Sequence, residues 1–189
     1  PSAEALASRM PVDWSGYLPW DVESQMTRAL DAPRPALVVF TKTEVWPVLS
    51  RMAAGRGVPT GLVAATLPSS SSRSGFPTRS TLRPSMERLA LVASVADGDA
   101  QRFLALGAQP EAIVTTGDPG VDSAAVRAEA VDPQAAHLSP FRDGRPTVVA
   151  GSPWRADEAV LIPALTRVRD RGSDVRLIVA PHEPEPEPV

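Results

Sequence analysis

The sequence contains no cysteine, and this absence excludes several kinds of site at once. Disulfide frameworks, thiolate zinc sites and thiol catalysis all require cysteine. Histidine is also scarce, since His137 and His182 are the only two in the chain. We therefore predict no metal site built on cysteine or histidine, although carboxylates can still hold a hard cation.

The sequence also lacks a large excess of charge and any long apolar run. Its 19 basic and 22 acidic residues give a net charge of -3, so we predict no nucleic-acid partner, because duplex binding needs a positive field. No apolar run reaches the roughly 18 residues of a transmembrane helix, and the first residues do not resemble a secretion signal. A length of 189 residues, 43% of them hydrophobic, suits a globular protein with one large or two small domains.

What the sequence does have is a repeated alternation of short apolar runs with longer amphipathic stretches. The runs have the length of buried strands, and the stretches have apolar residues at every third or fourth position. This alternation is typical of α/β layers whose parallel strands are joined by right-handed crossovers. The predicted strands are 37–40, 61–65, 89–93, 112–115, 147–150 and 175–179, and the predicted helices are about 21–31, 45–55, 80–88, 98–106, 121–130 and 156–171.

Turn and cap residues agree with these boundaries. Thr43 is placed to cap a helix that starts one residue later, with Pro47 in its first turn, where a missing N–H is tolerated. Gly57 and Gly107 follow helices at a position where left-handed backbone is common. The segment 132–145 has no clear period, and we interpret it as an interdomain linker.

Polar residues follow several predicted strands, at the edge where open parallel sheets bind ligands. Glu44 stands where the first strand passes into a helix. An acidic residue in a first turn interacts favourably with the helix dipole, which is a purely structural role. The same carboxylate can also stabilise positive charge that develops in a reaction, so spacing alone leaves both interpretations open.

Two further edge segments are candidates for nucleotide contacts. Gly151 and Ser152 close a strand and open a helix, which places N–H groups and a hydroxyl where a phosphate can bind. Acidic residues in the same first turn would repel that phosphate. Trp154 can stack on a base or simply cover the sheet edge.

The last strand is followed by Pro181, His182 and Glu183. An imidazole there can contact a phosphate, and a carboxylate there can contact a ribose. A lone histidine in a loop, however, is usually exposed and without a role. The other histidine, His137, has no neighbour that suggests chemistry. The sequence contains no Ser/His/Asp order and no metal-ligand cluster.

Six motifs follow one another along nearly the whole chain: Tyr17-Leu18-Pro19-Trp20-Asp21, Thr43-Glu44-Val45-Trp46-Pro47, Ala100-Gln101-Arg102-Phe103-Leu104-Ala105-Leu106-Gly107-Ala108, Thr116-Gly117-Asp118, Val149-Ala150-Gly151-Ser152-Pro153-Trp154 and Ile178-Val179-Ala180-Pro181-His182-Glu183. In this order and spacing they resemble the 3-deoxy-D-manno-octulosonic acid (Kdo) transferases.

The resemblance implies a GT-B glycosyltransferase. The expected fold class is α/β, with Rossmann-like parallel sheets and helices on both faces, incomplete in this chain. Residues 1–131 would be the C-terminal part of the acceptor-side domain, 132–145 the linker, and 146–189 the start of the nucleotide-binding domain. Because members of the family are longer, we expect a general-base glutamate, a membrane-associating helix and most of the second domain to be missing, and the fragment alone to be inactive.

The resemblance also implies an activity. Such enzymes transfer Kdo from CMP-Kdo to a lipid A precursor in lipopolysaccharide biosynthesis, with inversion, without a metal or a further cofactor, at the cytoplasmic face of the bacterial inner membrane. Glu44 matches their transition-state-stabilising glutamate, and Pro181 and His182 match a pair that contacts CMP. The predicted nucleotide-binding residues are Gly151, Ser152, Trp154, Pro181, His182 and Glu183.

Two positions depart from the family pattern. Gly120 stands where members carry a basic residue that is tied to the transition state, and His182 stands where many carry arginine. These departures keep two alternatives open. One is a GT-B enzyme that uses a different nucleotide sugar, and the other is a degenerate module that binds a nucleotide or a partner without catalysis.

Overall fold

The structure is a computed structural model that describes residues 10–71 and 78–181. The chain divides into two compact units, residues 1–125 and residues 126–189. The helix Pro119–Glu129 contains the boundary between unit 1 (residues 1–125) and unit 2 (residues 126–189). The elements are α1 (Glu23–Asp31), β1 (Val38–Thr41), α2 (Pro47–Gly55), β2 (Thr60–Ala65), α3 (Thr78–Glu87), β3 (Leu89–Ser94), α4 (Asp97–Leu106), β4 (Ile113–Thr115), α5 (Pro119–Glu129), β5 (Thr147–Gly151), α6 (Arg155–Asp170) and β6 (Arg176–Ala180).

Each unit is built around a parallel sheet. In unit 1 the strand order is β1-β2-β3-β4, and the register places Phe40 beside Leu62 and Leu62 beside Val92. In unit 2, β5 pairs with β6 along its whole length. Because the strands of a sheet run in the same direction, their carboxyl ends meet at one edge, where the loops that follow them are brought together.

The buried core of unit 1 is formed by its sheet and the helices that pack against it. The aligned side chains Phe40, Leu62 and Val92 form one cluster with apolar residues of the four helices α1 to α4. Burying each large side chain contributes about 1.5–3 kcal/mol. On other positions of the same strands, Val39 is 48% and Leu91 43% exposed. The helix residues of this core are Met26, Leu30, Leu49, Ala53, Met86, Phe103 and Leu106.

The secondary structure predicted from periodicity is confirmed. Every predicted strand and helix is present, with boundaries within two residues of those expected. Gly57 and Gly107 follow α2 and α4 with φ of +70° and +116°, so both adopt the left-handed backbone predicted for them. The segment 132–145, predicted as a linker, contains a short 3-10 helix, Ala136–Phe141.

The prediction that Thr43 caps the second helix is wrong. That helix begins later, at Pro47, and its N-cap residue is Trp46. The chain between strand and helix first makes a tight turn, in which the Val45 N–H donates to the Thr43 carbonyl oxygen at 3.1 Å. Thr43 therefore lies too far ahead of the helix to satisfy its first N–H groups.

Asp99 joins α4 to the loop that follows β2. Its Oδ1 accepts a hydrogen bond from the Leu67 N–H at 2.8 Å and one from Arg102 Nη2 at 2.8 Å, while Arg102 Nε donates to the Leu67 carbonyl oxygen. Burial by itself would raise the pKa of the Asp99 carboxyl. The hydrogen bonds from Leu67 and Arg102 and the positive charge of Arg102 outweigh that effect and hold the pKa below its ordinary value.

We expect Asp99→Ala to lower the free energy of unfolding by about 2–4 kcal/mol, because it leaves the buried Leu67 N–H and the Arg102 charge without their acceptor. The matched control is Asp97→Ala, in the first turn of the same helix. The Asp97 carboxylate is exposed and accepts one hydrogen bond, from the Thr115 hydroxyl at 2.8 Å, so its loss should cost less than about 1 kcal/mol. Urea unfolding of both variants measures the difference.

The loss of unfolding free energy in Asp99→Ala should also depend on pH. Because the pKa of Asp99 is lower in the folded than in the unfolded chain, its contribution is complete above the unfolded pKa and is lost as the pH falls through the folded one. Acidification should therefore narrow the gap in stability between the wild type and Asp99→Ala. Equal losses of stability in the two variants at neutral pH would contradict this interpretation.

Candidate functional site

Glu44 lies at the carboxyl edge of the sheet in unit 1. After β1 ends, Lys42 adopts a left-handed backbone with φ of +58°, which turns the chain out of the sheet. The Glu44 N–H then donates to the Thr41 carbonyl oxygen at 3.1 Å. The next side chain, Val45, is buried in the core, whereas the Glu44 side chain is exposed. The turn therefore presents the candidate catalytic carboxylate at the edge where ligands bind.

The helix that follows Glu44 receives its cap from far upstream. Asp21 Oδ2 accepts a hydrogen bond from the Val48 N–H, and Asp21 Oδ1 accepts one from the Leu49 N–H, both at 2.9 Å. The first N–H groups of a helix have no partner within it. The sequence gives no local signal for this cap, because the two donor N–H groups lie 27 and 28 residues after Asp21.

A second edge loop in unit 1 follows β4. The Thr116 N–H donates to the Ser94 carbonyl oxygen at 2.8 Å, and Asp118 Oδ1 accepts from the Gly120 N–H at 2.8 Å at the start of α5. A Cβ atom at Gly120 would lie 3.1 Å from Asp118 Oδ1. A larger residue there, such as the basic one of the family pattern, would require that carboxylate to shift slightly.

Unit 2 brings three of the predicted nucleotide-binding residues to one edge of its sheet. Gly151 ends β5 beside Ala180, which ends β6. The Ser152 N–H donates to the Ala180 carbonyl oxygen at 2.7 Å, and Ser152 has φ of +58°. Because Pro181 follows Ala180 directly, Gly151, Ser152 and Pro181 are close neighbours at this edge.

Trp154 stands at the start of α6, and its side chain is 59% exposed. The Trp154 N–H donates to Asp157 Oδ2 at 2.9 Å. The Asp157 carboxylate thus occupies a donor that a phosphate at this helix end would use. The two remaining predicted site residues, His182 and Glu183, lie outside the described residues.

Two negative findings hold for residues 10–71 and 78–181. Nowhere in these ranges do three His, Asp or Glu side chains gather into a group that could hold a metal ion. None of the helices described there has the length and apolar character needed to cross a bilayer.

Comparison with solved structures defines the class of fold. The S. aureus MnaA–UDP co-structure has a TM-score of 0.60 and 20% identity, covering 85% of this chain and 45% of that one. A putative UDP-N-acetylglucosamine 2-epimerase from Listeria monocytogenes has a TM-score of 0.60 and 16% identity, covering 82% and 43%. The predicted fold class is confirmed: α/β of the GT-B type, with Rossmann-like parallel sheets and helices on both faces.

Sequence comparison then gives the family. The family model for 3-deoxy-D-manno-octulosonic-acid transferase (kdotransferase) matches residues 1–123. The 3-deoxy-D-manno-octulosonic acid transferase of Bordetella pertussis is 30% identical over 149 residues, which are 79% of this chain and 34% of that protein. The chain belongs to the kdotransferase family, as the motif register predicts. It spans about a third of the length of this curated relative.

We expect Asp157→Asn to lower the free energy of unfolding by about 0.3–1 kcal/mol, because it removes a negative charge from the positive end of the α6 dipole. Asp170→Asn is the matched control, since it removes the same charge from the last residue of the same helix. A negative charge is unfavourable there, so the control should leave stability unchanged or raise it by a few tenths of a kcal/mol. Urea unfolding at low ionic strength compares them, and a loss of equal size in both would refute the dipole argument.

Proposed function

We propose that the full-length protein transfers Kdo from CMP-Kdo to a lipid A precursor in lipopolysaccharide biosynthesis. The observation that carries the proposal is the family match over residues 1–123, within which Glu44 is exposed at the carboxyl edge of the sheet. That edge is where open parallel sheets bind their ligands. Family membership supports glycosyl transfer, and the donor and acceptor are part of the proposal.

The proposed reaction is a single displacement with inversion. A carboxylate base from a part of the full-length protein outside this chain takes the proton of an acceptor hydroxyl. The resulting oxygen forms a bond to the anomeric carbon of Kdo while the bond from that carbon to the CMP phosphate oxygen breaks. The bonding electron pair leaves with CMP. Glu44 stabilises the positive charge that develops on the sugar in an oxocarbenium-like transition state.

We assign the nucleotide to the sheet edge of unit 2. The exposed indole of Trp154 offers a surface on which a base can stack. Asp157 already accepts the Trp154 N–H, so the phosphate contact falls to other residues, with His182 the candidate that the sequence offers. The proposed nucleotide-binding residues are Gly151, Ser152, Trp154, Pro181, His182 and Glu183.

The proposal also covers the setting of the reaction. CMP-Kdo is a donor substrate, and the displacement requires neither a metal ion nor a further cofactor. The lipid A precursor is held in a membrane, so we place the enzyme at the cytoplasmic face of the bacterial inner membrane, attached through a segment outside this chain, with no nucleic acid as a partner. Gly120 supplies no charge for the departing phosphate, and this charge must come from another residue.

We expect Glu44→Gln to reduce the transfer of Kdo by the full-length protein at least about 100-fold, because a neutral amide cannot stabilise the developing charge. Binding of CMP should persist, since the nucleotide is assigned to unit 2. The measurements are transfer from CMP-Kdo to a lipid A precursor and calorimetric titration with CMP.

Glu111→Gln is the matched control, because Glu111 is an exposed carboxylate that precedes β4 at the opposite, amino edge of the same sheet. This variant should transfer Kdo at the wild-type rate. Wild-type transfer by Glu44→Gln would remove Glu44 from the mechanism.

A further inference from the structure

We propose that Asp21 is a positioning residue for Glu44: by capping α2, it fixes the turn that carries the Glu44 carboxylate. The inference rests on the proposed function, in which Glu44 stabilises the transition state. It assigns a role in the reaction to a residue that does not touch the reacting atoms.

Helix α2 receives no cap from the side chain of its own N-cap residue. The side chain of its N-cap residue, Trp46, makes no capping hydrogen bond to the helix. Its first residue, Pro47, has no N–H. The two oxygens of Asp21 accept from the next two N–H groups, at 2.9 Å each. One carboxylate therefore satisfies both groups and places a negative charge at the positive end of the helix dipole.

The turn between β1 and α2 is short and is fixed at both ends. It consists of residues 42–46. At the strand end, the Lys42 N–H donates to the Val63 carbonyl oxygen at 3.0 Å. At the helix end, Asp21 holds the first turn. Val45 anchors the middle of the turn in the core, so three attachments hold the backbone that carries Glu44.

Two ion pairs connect α1 with α2 and its C-cap residue farther from Glu44. Arg51 forms an ion pair with Glu23 at 2.7 Å, and Arg56 forms one with Asp31 at 2.7 Å. Arg51 lies in a later turn of α2 and Arg56 follows its last residue, and both pairs are largely exposed, where screening by water weakens an ion pair. Asp21 instead acts on the end of the helix that is next to Glu44. Loss of Asp21 should thus move Glu44 more than loss of Glu23 would.

The experiment compares Asp21→Ala, Asp21→Asn and the control Glu23→Ala in the full-length protein. For Asp21→Ala we expect kcat for Kdo transfer to fall about 10- to 100-fold, because a misplaced catalytic group loses much of its effect. The KM for CMP-Kdo should change less than about threefold, since we assign the nucleotide part of the donor to unit 2. Amide hydrogen exchange at Val48 and Leu49 should become faster.

The two other variants separate capping from general stability. The Asn variant keeps one acceptor oxygen, so its kcat should lie between those of the wild type and the Ala variant. Glu23→Ala removes a carboxylate that bridges the same two helices, and it should leave both kcat and the exchange at Val48 and Leu49 unchanged. If the Ala variant does not fold, the Asn variant is measured in the same way.

A double variant tests whether Asp21 acts through Glu44. In the Glu44→Gln background, Asp21→Ala should reduce the remaining transfer by less than about threefold, because the group that it positions is already neutral. An undiminished 10- to 100-fold loss in that background would overturn the proposal. A wild-type kcat for Asp21→Ala together with faster exchange at Val48 and Leu49 would also overturn it. Unchanged exchange at these two residues in Asp21→Ala would do the same.

These readouts also distinguish a failure of the inference from a failure of the proposed function. Wild-type transfer by Glu44→Gln would refute the role of Glu44 whatever Asp21 does. Faster exchange at Val48 and Leu49 with intact transfer would refute only the positioning role.

Discussion

Unit 1 depends on aspartate carboxylates that accept backbone N–H groups at the carboxyl edge of its sheet. The turns that follow parallel strands leave such donors without a partner in regular structure, and buried donors need one. Asp21 accepts hydrogen bonds from N–H groups in the first turn of α2. Asp99 accepts one from the Leu67 N–H after β2, and Asp118 accepts one from the Gly120 N–H after β4. A carboxylate suits this task because it accepts several hydrogen bonds and donates none when ionised. These contacts hold the edge loops in fixed positions.

A fixed edge matters because the chemistry that we propose is electrostatic. Stabilising a developing charge requires a carboxylate whose position is set before the reaction begins. Glu44 is adjacent to Val45, which is buried in the core, and to a helix start that Asp21 holds from outside. The position of the Glu44 backbone therefore derives from packing and capping in unit 1. Nucleotide contacts are assigned separately to unit 2.

The limits of sequence-based prediction here follow from the range of each interaction. Strands and helices could be predicted within two residues, because hydrophobic periodicity reports burial locally. The sequence predicts the nearest suitable residue, Thr43, as the cap, whereas the observed cap is Asp21, whose partners are 27 and 28 residues away in sequence. Glu44 is expected from spacing in the first turn of the second helix, but that helix begins at Pro47 and its first turn contains no acidic residue. Spacing alone could not decide the role of Glu44, and the proposed role comes from the family motif. Gly151, Ser152 and Pro181 do meet at one edge, as parallel strand ends must.

The central claim is that this member of the kdotransferase family acts on a cytidine nucleotide, and the fold cannot decide this, since one fold serves many donors. The most direct measurement is a calorimetric titration of the full-length protein with CMP, UDP and GDP under identical conditions. We predict that CMP binds at least about tenfold more tightly than UDP or GDP, a difference of about 1.4 kcal/mol. Tighter binding of UDP than of CMP would contradict the assignment of CMP-Kdo as the donor.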